Sequence, residues 1–192
     1  MNRKYDLSAY NEKRDFTKTS EPPGTTGRSS ERLRFSFQKH AASTLHYDFR
    51  LEVDGVLKSW AVPKGPSTNP QDKRLAIRTE DHPLNYIDFE GVIPEGSYGA
   101  GKVLVWDIGT YDNITIKSGQ LEDLNAAIKK GHFLIELHGK KLNGSYAMTR
   151  MNDEEEQWLL VKMADENAQS QGRILEEQPQ SAISGKLIEE MK

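Results

Sequence analysis

Short stretches of alternating apolar and polar residues occupy most of the middle of this chain. Alternation with a period of two is typical of strands that bury one face, because successive side chains point to opposite sides of a sheet. The pattern predicts strands over residues 33–39, 45–54, 56–62, 73–79, 102–107, 132–138, 144–150 and 157–163. So many short strands require closure or a second sheet. We therefore predict a mainly β fold, a compact closed or nearly closed β-barrel of about eight strands with one or two flanking helices.

Two dipeptides are predicted to form tight turns between these strands. Asp54-Gly55 and Asn143-Gly144 each lie between two alternating runs. Such pairs favour two-residue hairpin turns of type I′, because both residues tolerate positive φ angles.

The order of elements predicts one domain with polar ends. Residues 1–30 form an N-terminal arm that contains a stretch rich in Ser, Thr, Gly and Pro, residues 31–164 form the barrel domain, and residues 165–192 form a polar C-terminal tail with a short helix near its end. Inside the barrel domain, apolar residues at helical spacing predict one helix from Leu121 to Lys130, which Gly131 terminates.

Three of the predicted strands carry chemically active side chains on their polar face. In order along the chain, these are Arg34, Ser36, Gln38 and His40, then His46, Asp48, Arg50 and Glu52, then Arg74, Arg78, Glu80 and His82. The alternate positions, including Leu75 and Ile77, are expected to fill the barrel interior. The three polar registers would then line an outer or open concave face, with the Glu52 end of the second strand as plain solvated surface.

The residue types on this face suit a metal ion and a phosphate. His40, His46 and Asp48 offer two imidazoles and a carboxylate, a set that binds divalent cations. Arg50 shares their register and has the planar donors that match phosphate oxygens. His82 could donate a proton to a leaving oxygen or bind phosphate as an imidazolium. We therefore predict a metal-dependent phosphoester site. Because no Ser or Cys lies in a nucleophile context, the sequence favours direct attack by water over a covalent intermediate, and attack by a substrate 2′-OH stays open.

Bulk properties narrow the classes of protein and partner. The chain has 192 residues and no cysteine, so a metal must be held by nitrogen and oxygen ligands. No apolar run approaches the roughly 18 residues of a membrane span, and the first residues do not resemble a signal peptide, so we expect a cytoplasmic protein that does not bind membranes. The net charge is −3, and a nucleic-acid partner would need a local basic patch.

The glycine-rich segment GVIPEGSYGAGK, at residues 91–102, is not interpreted as a phosphate loop. It lacks the spacing G-x4-G-K-[ST] that cradles nucleotide phosphates. Its glycines are instead expected to shape a tight turn that leads into the strand KVLVW.

Three motifs resemble those of a known family. The runs H-x5-H-x-D-x-R (residues 40–50), W-A-V-P-K-G (60–65) and E-D-H-P-x-x-Y (80–86) closely resemble the 3′-phosphoesterase domain of bacterial DNA ligase D and its free-standing archaeal and bacterial relatives. The likeness extends from KRDF near the start to QWLLVKM near residue 163. Because a K-x-D-G ligase nucleophile motif is absent, the chain is expected to be the stand-alone form.

The resemblance implies a manganese-dependent enzyme that trims DNA or DNA–RNA 3′ ends. Members of the family remove a 3′-terminal ribonucleotide as a phosphodiesterase and then the 3′-phosphate as a phosphomonoesterase, leaving a 3′-OH for repair and end joining. Zn²⁺ and Co²⁺ suit the same nitrogen and oxygen ligands as Mn²⁺. A DNA ligase and a polymerase of an end-joining system are the implied partners.

The resemblance also implies a role for each residue in the motifs. The metal ligands would be His40, His46 and Asp48, and the reacting phosphate would be held by Arg50 and His82. Further active-site positions are Gln38, Glu80 and Tyr86, together with Arg14, Asp15 and Glu21 in the arm. Removal of the 3′-phosphate would depend on Lys64 and Arg74. The N-terminal arm is accordingly expected to be partly ordered over the active site.

Two other functions remain open at this point. A non-catalytic DNA-end-binding module that recruits a polymerase or ligase would need basic and aromatic residues such as Lys39, Lys64, Arg74 and Tyr86, but no metal ligands. A cupin-like metal barrel acting on a small molecule would use His-x-His with a following Glu and a distant third His. The spacing His-x5-His-x-Asp does not fit a cupin, and the arginines favour phosphate.

Overall fold

The computed structural model describes residues 6–25, 27–28, 31–152 and 156–192. The strands in these ranges are β1 (Arg34–Ala41), β2 (Leu45–Val53), β3 (Val56–Val62), β4 (Arg74–Arg78), β5 (His82–Pro83), β6 (Gly91–Ile93), β7 (Gly101–Asn113), β8 (Ile116–Lys117), β9 (Gln120–Leu121), β10 (His132–Gly139), β11 (Asn143–Asn152) and β12 (Gln157–Lys162). The helices are α1 (Ser8–Glu12), α2 (Leu124–Lys130) and α3 (Ile174–Glu177), with 3₁₀ turns at Leu84–Tyr86 and Ile188–Glu190.

Eight of these strands close into an antiparallel barrel. Hydrogen-bonded neighbours follow the order β1, β2, β3, β4, β12, β11, β10 and β7, and β7 then pairs with β1. Closure removes the free edges that an open sheet of short strands would expose. The two short strands β5 and β6 pair with β3 and β7 outside this ring. The predicted mainly β fold and the barrel of about eight strands are confirmed, with three short helices in the described part of the chain.

The barrel interior is filled by the apolar registers of its strands. The rings of Phe37 and Phe49, on β1 and β2, stack with their centroids 4.4 Å apart. Trp60, Phe133 and Trp158 form a second aromatic group in which each pair of centroids is 5.7 to 5.8 Å apart. All five side chains are buried. The predicted inward register of β1 and β2 is therefore confirmed, and their polar residues point outward.

A second, smaller hydrophobic core lies on the outer face of the barrel. Tyr10 of the N-terminal arm packs there with Leu57 of β3 and with residues of the segment after β5, namely Leu84, Tyr86 and Ile87. Phe16, Phe89 and Ile108 surround this group. The outward face of β1, β2 and β3 is thus covered by protein. Glu52, which we expected at the solvated surface, is fully buried and forms an ion pair with Arg34 at 3.0 Å.

One of the two predicted turns is confirmed. Asp54 and Gly55 have φ angles of 50° and 86°, and they connect β2 to β3 with Val53 and Val56 as the closing pair. Both positive angles are those of a two-residue type I′ turn.

The turn predicted at Asn143-Gly144 is wrong. Asn143 already pairs with His138 in the ladder between β10 and β11, so the two strands are connected by residues 140–142. Gly144 is instead needed inside the strand, where its φ is 87° and a Cβ would lie 2.6 Å from an oxygen of Asp165.

The predicted helix is present but begins three residues later than expected. The Asp123 side chain accepts a hydrogen bond from the Ala126 N–H at 2.9 Å and caps α2 at Leu124. Leu121, which we placed inside the helix, lies in β9 and is exposed. The predicted stop at Gly131 is confirmed by its left-handed φ of 88°.

The predicted register of β4 is wrong. Leu75 and Ile77 are exposed by 36% and 38%, whereas Ala76 between them is fully buried in the barrel core. The guanidinium carbon of Arg78 lies 4.8 Å from the ring centroid of Trp60, so this side of β4 faces inward. A cation over an aromatic ring takes the place of an apolar side chain at this end of the barrel.

Residues 165–192 lie along the barrel and contact it repeatedly. Ile174, Ile188 and Met191 are buried against the barrel core. The indole N–H of Trp106 donates to the carbonyl of Gln178 at 2.7 Å. No helix among the described residues is both long enough and apolar enough to span a bilayer.

Candidate active site

The site lies on the outward face of β1 and β2, where cross-strand pairing brings the predicted ligands together. His40 and His46 are direct partners in the antiparallel ladder, as are Gln38 and Asp48. Directly opposed residues have neighbouring side chains on the same face. The sequence spacing of five residues between the two histidines is therefore the spacing of a short hairpin, with its turn at residues 42–44.

His40, His46 and Asp48 form a group that could hold a metal ion. His40 Nδ1 and His46 Nε2 lie 3.6 Å from the two different carboxylate oxygens of Asp48. The possible ligand atoms of the three residues all lie within 4.8 Å of one another. His40 and Asp48 are buried and His46 is half-buried, so the group lies at the base of a recess.

Backbone carbonyls orient both imidazoles. His40 Nε2 lies 2.8 Å from the Gly99 carbonyl oxygen, and His46 Nδ1 lies 2.9 Å from the Thr44 carbonyl oxygen. A carbonyl can only accept, so each of these nitrogens carries the proton. In the neutral form of each ring, the nitrogen facing Asp48 carries a lone pair, which is the arrangement of metal-ligating histidines. The donor set and its orientation fit a divalent cation.

The electrostatics keep Asp48 ionised. Burial alone would raise the pKa of its carboxyl group, but the Arg50 guanidinium and then the two imidazoles outweigh burial and hold the pKa below its ordinary range. One guanidinium nitrogen of Arg50 lies 3.2 Å from an Asp48 oxygen. A metal ligand must be deprotonated, so this shift favours binding of a cation.

Arg50 is held in place by three neighbours. In addition to Asp48, its Nε donates to the side-chain oxygen of Gln38, and its Nη1 donates to the Ser59 hydroxyl at 2.9 Å. The Gln38 amide in turn donates to the carbonyls of Tyr86 and Phe89, both at 3.0 Å. Gln38 thus connects the arginine on the barrel to the segment that covers the site.

His82 reaches the same face from a different strand. Because β4 ends at Arg78, Glu80 and His82 do not continue its register as we predicted; His82 opens β5 and pairs with Leu57 of β3. Its Nδ1 lies 2.9 Å from the Glu80 carbonyl oxygen and therefore carries the proton. Burial, followed by the charges of Arg50 and Arg14, holds the pKa of His82 well below its ordinary value. The imidazole is thus neutral near pH 7.

The N-terminal arm completes the site. Arg14 donates to Glu21 at 2.9 Å and lies 3.4 Å from Glu80, and all three side chains are almost fully buried. The Tyr86 hydroxyl donates to the same oxygen of Glu21 at 2.9 Å. Burial raises the pKa of Tyr86 well above its ordinary value, so this hydroxyl remains a donor. Arm and barrel therefore share one network of buried charges.

A cavity of about 270 Å³ brings most of the predicted residues together. Its walls include eight of them, namely Arg14, His40, His46, Asp48, Arg50, Glu80, His82 and Tyr86. Gln38 and Glu21 lie directly behind the wall, through their bonds to Arg50 and Tyr86. The arrangement can hold a metal ion next to an anionic group.

Three predicted residues do not line this cavity. Asp15 is exposed and accepts hydrogen bonds from Thr17, so it shapes a turn of the arm. Lys64 is exposed in the turn after β3. Arg74 lies at the start of β4, where its guanidinium pairs with Asp72 at 3.1 Å.

Several cavity-lining residues were missed by the sequence interpretation. Thr79 precedes the predicted Glu80, and Ala61 lies on the outward register of β3. Ile93, Tyr98 and Gly99 come from the glycine-rich segment, which we had interpreted as a turn. Positive φ angles at Gly99 and Gly101 agree with that turn, and it is this turn that brings the Gly99 carbonyl to His40. The sequence feature that could have indicated this part of the site is Tyr98, an aromatic residue inside a glycine-rich turn.

Comparisons with known proteins agree with this geometry. The family model of the DNA ligase D 3′-phosphoesterase domain matches residues 38–150. The multifunctional non-homologous end joining protein LigD of Pseudomonas aeruginosa is 49% identical over 188 residues, which are 95% of this chain and 22% of that protein. The multifunctional non-homologous end joining DNA repair protein LigD of Mycobacterium tuberculosis is 44% identical over 164 residues, 85% of this chain and 20% of that protein.

A third relative, the multifunctional non-homologous end joining protein LigD of Mycolicibacterium smegmatis, is 40% identical over 161 residues, 83% of this chain and 21% of that protein. The chain therefore spans about a fifth of the length of these curated relatives. The matched family model covers more than half of the chain and includes His40, His46, Asp48, Arg50 and His82. The chain belongs to the family of DNA ligase D 3′-phosphoesterase domains.

Proposed function

We propose that this chain is a metal-dependent phosphoesterase that processes DNA 3′ ends. It removes a 3′-terminal ribonucleotide as a phosphodiesterase and then the 3′-phosphate as a phosphomonoesterase, leaving a 3′-OH. One observation carries the proposal: two correctly oriented imidazoles and an ionised carboxylate share a single cavity with Arg50 and His82. The family provides the class of reaction, and the relatives' role in end joining suggests the setting.

His40, His46 and Asp48 would hold the metal, with Mn²⁺ as the proposed ion and Zn²⁺ or Co²⁺ as alternatives for the same ligands. When bound, such an ion supplies a Lewis acid for the phosphoryl group and lowers the pKa of water. The protein's own contribution is the fixed orientation of the two rings, which the carbonyls of Gly99 and Thr44 provide. Three protein ligands leave further positions open, as catalytic sites require.

Arg50 is proposed to bind the reacting phosphate. Its Nε and one hydrogen each of Nη1 and Nη2 are used by Gln38, Ser59 and Asp48. A guanidinium has five donors, so two remain for phosphate oxygens. Because the group is already buried and oriented, it offsets negative charge in the transition state with little reorganisation.

His82 is proposed to act on a phosphate oxygen through Nε2. In the free protein this nitrogen carries a lone pair, since Nδ1 donates to the Glu80 carbonyl. The negative charge of an arriving phosphate favours the imidazolium, which opposes the effect of burial and of the two arginines on the pKa. His82 would therefore take up a proton when substrate binds, and then donate it in a hydrogen bond or to the leaving oxygen.

The remaining predicted residues are proposed to position this machinery. Gln38, Tyr86, Glu21, Arg14 and Glu80 form the buried network around Arg50 and His82. Asp15 would act by shaping the arm. Lys64 and Arg74, which lie outside the cavity wall, are proposed to favour the more highly charged phosphomonoester through longer-range attraction. A DNA ligase and a polymerase would use the 3′-OH product.

The test is a time course with a 5′-labelled strand that ends in one ribonucleotide. We expect a shortened strand ending in a 3′-phosphate to appear first and to be converted to a 3′-OH strand, with Mn²⁺ required and EDTA abolishing both steps. Binding of the strand without any cleavage would instead support the alternative of a non-catalytic DNA-end-binding module. Cleavage that is indifferent to EDTA would contradict the proposed role of the metal.

A further inference from the structure

We propose that Tyr98 is a stacking platform for the 3′-terminal nucleobase and thereby determines how tightly the strand end is held. This inference rests on the proposed function, because it assigns a substrate-binding role at the mouth of the same cavity. Tyr98 lies in the connection between β6 and β7, next to Gly99, whose carbonyl orients His40.

The cavity is small and its wall is charged, which favours a phosphate and sugar over a base. A volume of about 270 Å³ is smaller than the roughly 300–1,000 Å³ of pockets that enclose a whole drug-sized ligand. The charged groups of its wall, among them Asp48, Arg50 and His82, suit a phosphate and the attached sugar. The apolar face of the terminal base would then lie at the entrance.

Tyr98 is the residue at that entrance with an available aromatic surface. Its side chain lines the cavity and is exposed by 48%, whereas the other tyrosine of the wall, Tyr86, is exposed by only 2%. This exposure leaves part of the Tyr98 surface accessible for contact with a base. Nucleobases of every kind have such a face, so stacking suits an enzyme that acts on ends of any sequence.

The ring is held in place by cations of the N-terminal arm. Lys13 Nζ lies 4.6 Å from the Tyr98 ring centroid and 3.4 Å from its hydroxyl oxygen. The guanidinium of Arg14 lies 5.4 Å from the same centroid. Lys13 also pairs with Glu80 at 3.2 Å, which connects the ring to the buried network of the site. A ring fixed in advance loses little freedom when a base stacks on it.

The experiment compares Tyr98→Ala with Tyr98→Phe and Tyr98→Trp. For strands that end in one ribonucleotide, Tyr98→Ala should raise KM by about 5- to 150-fold, the range for loss of one base–aromatic stack, while kcat changes less than about twofold. Phe and Trp at this position should restore KM. Ile116→Ala, which removes another exposed apolar side chain on the β8–β9 hairpin outside the cavity wall, is the matched control and should leave KM unchanged.

A second substrate separates stacking from a structural effect. On a strand whose terminal ribose has no base, wild type and Tyr98→Ala should have the same KM. If Tyr98→Ala raised KM relative to wild type by the same factor on both substrates, the assignment would be overturned. It would also be overturned if Tyr98→Phe had as high a KM as Tyr98→Ala.

A binding measurement keeps the inference separate from the proposed activity. Fluorescence of a 3′-terminal 2-aminopurine should be quenched by wild type and by Tyr98→Phe but not by Tyr98→Leu. Quenching without cleavage by wild type would contradict the proposed function and leave the stacking role standing. Cleavage with equal quenching by all three proteins would contradict the stacking role alone.

Discussion

The hydroxyl of Tyr86 donates a hydrogen bond to a carboxylate oxygen of Glu21 at 2.9 Å, and the same oxygen accepts from Arg14. This contact joins the segment that covers the barrel to the N-terminal arm. Both partners are buried, so breaking this bond would leave polar groups without a partner and would cost free energy. Glu21 therefore helps to hold the arm over the site, together with the Arg14–Glu80 ion pair and the packing of Tyr10.

The first prediction concerns this carboxylate. Glu21→Ala leaves the Arg14 guanidinium buried with Glu80 as its remaining acidic partner, and removing one partner of a buried ion pair costs about 3 kcal/mol. We expect the arm to be cleaved by trypsin at least tenfold faster and activity to fall at least tenfold. Tyr86→Phe, which removes one hydrogen bond worth about 1 kcal/mol, should have about a fivefold effect on cleavage of the arm. Unchanged protection of the arm in Glu21→Ala would contradict this account.

The second prediction concerns the metal. Alanine at His40, His46 or Asp48 removes one of three ligands and should abolish both the diesterase and the monoesterase reaction. At 100 times its Kd, Mn²⁺ should stabilise the wild type by about 2.7 kcal/mol in urea unfolding, and this gain should be absent in the three variants. His132→Ala, a change at an exposed histidine on β10, is the control and should retain the full gain. A normal Mn²⁺ response in Asp48→Ala would rule out this site.

The third prediction separates the two reactions. A phosphomonoester carries about one more negative charge than a diester near neutral pH, so it depends more on additional cations. Lys64→Ala and Arg74→Ala should slow removal of the 3′-phosphate more than removal of the ribonucleotide, and the 3′-phosphate intermediate should accumulate. Because both residues lie outside the cavity wall, the effect should shrink between 0.1 M and 1 M salt, as the Debye length falls from about 10 to 3 Å.

Lys186→Ala is the control for this experiment, since Lys186 is an exposed cation on the C-terminal segment. It should not change the ratio of the two rates. Equal slowing of both steps by the Lys64 and Arg74 variants would contradict the assignment of these residues to the monoesterase step.

The fourth prediction concerns His82. With its pKa held well below 6.5, the imidazole should remain the neutral Nδ1–H tautomer between pH 7.5 and 6 in the metal-free protein, as seen in its ¹⁵N chemical shifts. The unfolded chain takes up a proton here below about pH 6.5 and the folded chain does not, so the residue's contribution to stability falls as pH decreases. Between pH 7 and pH 5, the free energy of unfolding should accordingly decrease less for His82→Gln than for wild type. A His82 that titrates near pH 6.5 would contradict the lowered pKa, and a neutral ring with its proton on Nε2 would contradict the tautomer assignment.

The grouping of His40, His46 and Asp48 on one face could be predicted from the sequence because it depends on local rules. In β1 and β2, alternation alone places His40, His46, Asp48 and Arg50 on one face, and a short hairpin brings the two strands into register. The apolar alternate positions are consistently large, so the inward face is unambiguous. Local pattern and tertiary burial agree in this part of the molecule.

The same rules failed for β4 because the tertiary environment there opposes the pattern. Leu75 and Ile77 look like core residues, but the barrel interior at this point accommodates the small Ala76 and the cation of Arg78 over Trp60. Periodicity does not distinguish a guanidinium that packs on an indole from one that faces solvent. The burial of Glu52 was missed for a related reason, since Arg34 neutralises it.

The role of the N-terminal arm was not visible in the pattern of its residues. Its composition is that of a loop, and only the resemblance of its motifs to the family indicated order. Its burial comes from a few long-range contacts, such as Tyr10 against His82 and Tyr86, with centroids 5.1 and 6.0 Å apart. Contacts between residues more than 70 positions apart leave no periodic signal.

The two separate hydrophobic cores have a consequence for how the enzyme loses activity. The large core inside the barrel supports the proposed metal ligands, whereas the small core around Tyr10 and Leu57 supports only the covering layer. Elements with few buried contacts open at a lower free energy than the global unfolding of the domain. Only the molecules whose arm is docked are therefore expected to be active. The apparent affinity for substrate is then proportional to the fraction of molecules in that state. On heating, the protein should become inactive while its barrel is still folded.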